Sequence, residues 1–175
     1  MTDYTLQPIS GKTLSRRLPE GTALVLEGGG LRGYYSCGVM EAFMEKDLLF
    51  PYIIGVSAGA ANALSYISGQ PGRSREIIEH YVGNPDYVST RNLLTKHTMF
   101  DFDYIFGTVP EKHIFFDWDK FHEQDTRFLT GAMNCADGKT VWFEKDTLKA
   151  PFMASRASCS VPLITKIQHY MGYDL

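Results

Sequence analysis

Two strand–turn–helix units near the start of the chain constrain its fold more than any other part of the sequence. In the first, the apolar run Ala23-Leu24-Val25-Leu26 leads into Gly28-Gly29-Gly30-Leu31-Arg32-Gly33. In the second, Tyr52-Ile53-Ile54 leads into Gly55-Val56-Ser57-Ala58-Gly59. Each reads as a buried strand, a tight glycine turn and a helix, since a short apolar run closed by glycines suits a sheet covered by helices. Consecutive units of this kind build a mainly parallel sheet, which places the chain in the α/β class.

The remaining elements extend that pattern. Residues 1–21 contain Pro8, Gly11, Pro19 and Gly21 and read as an extended leader before a first strand at 22–27. A helix is expected over 33–47 with Val39 and Phe43 turned inward, then a strand at 52–56 and a small-residue helix from Ala58 to about Gly69. Another helix is expected over 73–82. Residues 84–116 are aromatic and turn-rich and read as a cap over the site, with short helices near 100–106. A short helix at 117–124 precedes a hairpin, 127–134 with 139–144, around Ala136-Asp137-Gly138. A helix over 145–158 and a strand over 165–170 complete the reading.

The glycine turns carry the chemistry. In G-x-S-x-G the flanking glycines allow a sharp, strained turn that exposes the serine hydroxyl and aims the next N–H at the same space, roles that fall to Ser57 and Ala58 between Gly55 and Gly59. A run of free N–H groups at a helix N-terminus, as Gly28, Gly29 and Gly30 offer, suits a developing oxyanion. Nucleophile and anion cradle together are the requirements of acyl transfer. By composition, G-G-G-x-R-G arises by chance in roughly one chain in two thousand, against roughly a tenth of chains for G-x-S-x-G, so the loop is the more specific signal. Arg32 either steadies that loop, which ends at Gly33, or attracts an anionic substrate group.

Competing readings are weaker. The loop also fits the dinucleotide fingerprint, but no carboxylate stands at the end of the second strand to hold a ribose. No Gly-Lys-Ser/Thr follows the glycines, which removes a phosphate-binding P-loop. His80, His97, His113, His122 and His169 are available as a base for Ser57, none in a recognisable context. The net charge of −3 and the small Arg16-Arg17 and Arg73/Arg75 clusters argue against nucleic acid. Cys37, Cys135 and Cys159 lack metal-type spacing, and two of them read as packed thiols in a reducing compartment. With neither a signal-type apolar region at the N-terminus nor a run long enough to span a membrane, the chain reads as soluble and cytoplasmic.

The paired motifs resemble the patatin-like phospholipase family of lipid acyl hydrolases, whose pattern is G-G-G-x-R-G, then G-x-S-x-G, then a late D-G-G or D-G-A. The first two match in full, and Ala154-Ser155 through Pro162 is similar to the family's Ala/Ser-rich stretch ending in proline. The resemblance covers residues 22–175 and implies a three-layer α/β/α sandwich with a mainly parallel central sheet. It also implies Ser57 as nucleophile, oxyanion donors around Gly28, Gly29, Gly30 and Ala58, and a Ser–Asp dyad with no metal or cofactor. Its substrates would be lipid or other acyl esters, with transient contact at a membrane surface. The late motif is not found: Asp137-Gly138 is followed by Lys139 in a hairpin context, and Asp174 by Leu175. The dyad Asp is therefore expected a few residues beyond Leu175, and this portion is expected to be inactive by itself, because an unassisted serine hydroxyl is a poor nucleophile. A non-catalytic lipid- or acyl-binding module and a Ser–His–Asp hydrolase remain as alternatives.

Overall fold

In the computed structural model, which describes residues 9–175, the chain runs β1 (Arg16–Arg17), β2 (Ala23–Leu26), α1 (Gly33–Glu45), β3 (Leu48–Leu49), β4 (Tyr52–Val56) and α2 (Ala58–Ile67). It continues through α3 (Arg73–His80), α4 (Thr90–Lys96), α5 (Trp118–Glu123), β5 (Arg127–Met133), β6 (Thr140–Glu144), α6 (Met153–Ser158), β7 (His169–Tyr170) and β8 (Tyr173–Asp174). Residues 1–8 of the expected leader lie outside the described residues. The rest of it is docked: Leu14 is buried and exchanges two hydrogen bonds with the Gln124 side chain, and β1 pairs in parallel with β3.

The central sheet has the order β2-β4-β5-β6, with β2, β4 and β5 parallel and β6 antiparallel. The α/β class with a mainly parallel sheet is therefore as expected, and the hairpin of β5 and β6 forms where Asp137-Gly138 predicts it. Asp137 serves that turn: its Oδ1 accepts from the Asn134 side chain and the Lys139 N–H, each at 3.0 Å. One sheet face carries Leu26, Ile53, Phe128 and Phe143, all buried, beneath α2 and α6. Strand alternation sends Val25, Val56, Met133 and Trp142 to the opposite face, where they are exposed. The described residues thus supply the sheet and one helical layer, with α1 packed outside α2.

Three local expectations change. In α1 the buried stripe is Cys37, Met40 and Met44, at helical spacing, while Val39 and Phe43 are half-buried on the flank, Phe43 against Phe50. The helix expected over 145–158 is broken: a 3-10 turn at Lys145–Thr147 stops, Ala150-Pro151 is cis, and α6 starts only at Met153. Pro151 has no N–H to give a helix and disfavours helical backbone before it, so the two halves cannot join. Of the strand expected over 165–170, only His169 and Tyr170 pair, with β8. Met171 and Gly172, both at positive φ, form the tight turn that sets this register.

Residues 84–116 contain more helix than expected. Ser89 caps α4 by accepting from the Asn92 N–H at 3.1 Å, and Tyr104–His113 winds as a π-helix despite Pro110. Buried Arg73 of α3 holds the end of this segment. Its guanidinium donates to the Phe115 and Ile114 carbonyls and to Ser65, and it stands over the Phe116 ring.

Candidate active site

Ser57 occupies the junction of β4 and α2, where the chain reverses from strand to helix in a single residue. Its φ of 54° and ψ of −125° lie in a region that ordinary side chains avoid. The flanking glycines make this possible. A Cβ on Gly55 would stand 2.6 Å from Ala60 Cα, and one on Gly59 would stand 2.4 Å from the Leu26 carbonyl oxygen. The contacts at both points are with backbone, so the start of α2 can fold back on β4 and lie against the end of β2 only if those side chains are absent.

The two glycine motifs meet here. A Cβ on Gly28 would come within 3.0 Å of Ser57 Cβ and 3.7 Å of its Oγ. After Gly28 the loop turns through Gly30 (φ 55°) into the 3-10 turn Gly30–Arg32 and then α1. The N–H groups of Gly28, Gly29 and Gly30 donate to no backbone carbonyl among the described residues. Ala58 opens α2, so its N–H also lacks an intrahelical acceptor. Gly33 is packed beside Ala58, its carbonyl accepting from Asn62 Nδ2 at 3.1 Å. Arg32 is exposed; its side chain lies along Gly29.

Two residues with no role assigned from sequence complete the surroundings of the serine. Ser158 Oγ, at the end of α6, accepts the Ser57 N–H at 2.7 Å. Next to it, the Cys159 thiol meets the Ser57 side chain. Burial pushes that thiol up to about 12, with the hydrogen bond to Ser57 opposing the rise. Cys159 is therefore protonated at neutral pH and cannot accept the serine proton. Both lie in the Ala/Ser-rich stretch, whose composition was visible but whose distance along the chain from Ser57 hid the contact.

The histidines are occupied elsewhere. His80 pairs with Glu76 on α3, His113 packs on Tyr81 and Tyr104, His122 stacks on Trp118, and His169 bonds Asp174 across β7 and β8 at 2.6 Å. His97 is the left-handed cap of α4. No carboxylate hydrogen-bonds the Ser57 hydroxyl among the described residues. Those residues also contain no cluster of His, Cys, Asp or Glu able to hold a metal, and no helix long and apolar enough to cross a membrane.

A mainly parallel sheet with a strained serine at one strand end, facing a glycine loop at the next, defines an α/β protein whose two glycine turns converge on one site. The model of the patatin-like phospholipase family matches residues 24–174, and the chain belongs to that family. It is 33% identical over 102 residues to the uncharacterized protein YjjU of Escherichia coli K12, covering 58% of this chain and 29% of that protein. It is 40% identical over 57 residues to the patatin-like phospholipase domain-containing proteins CNBE2340 and CNE02340 of Cryptococcus neoformans, covering 33% of this chain and 6% of each. The chain thus spans less than a third of the length of these curated relatives.

Proposed function

We propose that this chain carries the nucleophile and oxyanion half of a serine-dependent lipid acyl hydrolase of phospholipase A or esterase type. Family membership supports a hydrolase acting on lipid esters. The observation that carries the residue assignment is Ser57 at positive φ with Gly28 directly against it. Ser57 Oγ attacks the acyl carbonyl carbon, and the carbonyl oxygen takes up negative charge. The N–H groups of Gly28, Gly29, Gly30 and Ala58 stabilise that oxygen, each such donor contributing about 3 kcal/mol to lowering the barrier. The serine proton passes to a base and then to the leaving alkoxide. Water next attacks the acyl-enzyme, releasing fatty acid and restoring the hydroxyl.

We assign the base to an Asp outside the described residues, completing a Ser–Asp dyad, and none of the chemistry needs a metal or cofactor. Arg32 positions the loop by packing along Gly29, and exposed Leu31 and Tyr35 give this rim apolar contact with a lipid surface. In a form of the protein that supplies this Asp, Ser57→Ala abolishes hydrolysis of a chromogenic acyl ester; unchanged turnover contradicts the assignment. The free serine hydroxyl among the described carboxylates and histidines also favours a second reading, an acyl-binding module without a base. That reading predicts saturable fatty-acid binding and no ester turnover in the same protein.

A further inference from the structure

The strained position of Ser57 creates a problem that α6 solves. The Ser57 N–H has left the β4 ladder and has not entered the α2 helix, and a buried N–H without an acceptor is costly. Ser158 Oγ receives it at 2.7 Å from 101 positions further along the chain. That hydroxyl is itself held on a fixed support. Arg156, buried on the same helix, donates from Nε to the Pro151 carbonyl at 2.7 Å and pairs with Asp103 at 2.6 Å. Phe152, just before the helix, stacks on Trp118 with ring centroids 4.6 Å apart. Ser160 Oγ donates to the Arg156 carbonyl at 3.0 Å and closes the C-terminal turn.

We propose that Ser158 is a positioning residue for the nucleophile: its hydroxyl clamps the Ser57 backbone in the left-handed turn that aims Oγ at the glycine loop. This rests on the serine-hydrolase reading above. The clamp acts through the backbone, so it leaves the Ser57 hydroxyl free to react. Its loss lets the elbow relax toward ordinary backbone angles, turning Oγ away from the N–H cradle. Cys159, packed against the same serine, limits where the side chain can swing.

The test follows the Ser57 amide by hydrogen exchange and the rate of Ser57 phosphonylation by a fluorophosphonate, in a form of the protein that supplies the proposed dyad Asp. Ser158→Ala is expected to unprotect the Ser57 amide and slow phosphonylation about tenfold, with Ser158→Thr recovering most of both. A destabilised control, Ser68→Ala, removes a buried hydroxyl bonded to Gln70 Oε1 at 2.9 Å and is expected to label at the wild-type rate. Ser158→Ala labelling as fast as wild type overturns the clamp, as does unchanged protection of the Ser57 amide. Equal slowing in Ser68→Ala also overturns it, since the effect is then general destabilisation. Wild-type protein that never labels overturns the serine-hydrolase reading instead, and the clamp with it.

Discussion

At the scale of single residues, the site is defined by side chains that are missing. Gly59 is the tightest case, because its Cβ would have to share space with the Leu26 and Glu27 carbonyl oxygens at 2.4 and 2.6 Å. Backbone cannot move aside as a flexible side chain can, so Gly59→Ala is expected to cost about 3 kcal/mol of stability, measured by urea unfolding. Gly38 in α1 is the opposite case. It has helical backbone and open space around its Cβ position, so Gly38→Ala is expected to stabilise by about 0.5–1 kcal/mol in the same assay. The sequence distinguished these positions through motif alone: Gly59 lies inside G-x-S-x-G, and Gly38 lies in no pattern. What it did not show was Ser158, because a serine hydroxyl accepting a backbone N–H leaves no mark in local composition.

At the scale of elements, legibility followed how local each cause was. The boundaries of β4, set by Pro51 and the glycines after it, were readable to the residue, and the β5–β6 hairpin followed from Asp137-Gly138. The segment 145–158 has a helical pattern, but Pro151 in its middle rules a continuous helix out. The π-helix at Tyr104–His113 has no sequence signature of its own and depends on the packing of Phe106 and Val109. One internal strand position has a testable defect. Thr130 of β5 is fully buried between the sheet and its helices, and its hydroxyl has no hydrogen-bond partner among the described residues. Thr130→Val keeps the shape and removes the stranded hydroxyl, so it is expected to raise stability by about 1 kcal/mol, read as an upward shift in Tm. An unchanged or lower Tm would mean that the hydroxyl is satisfied.

At the scale of the whole molecule, parallel sheets bury both faces, whereas here the described helices cover one. The other presents Val25, Val56, Met133 and Trp142 to solvent, at 69%, 37%, 60% and 47% exposure. A contiguous apolar surface of this kind binds the dye ANS while the fold stays native. Replacing Met133 and Trp142 together by Ser is expected to remove most of that fluorescence without changing far-UV circular dichroism. Dye binding that persists would place the exposed apolar surface elsewhere. The central claim, however, concerns Ser57, where β4 ends and α2 begins. Peptide mapping after reaction with an organophosphonate, in a form of the protein that supplies the proposed dyad Asp, tests it most directly. A single covalent adduct on Ser57, absent in Ser57→Ala, is the predicted result. An adduct on another residue, or none while ester hydrolysis proceeds, would contradict it.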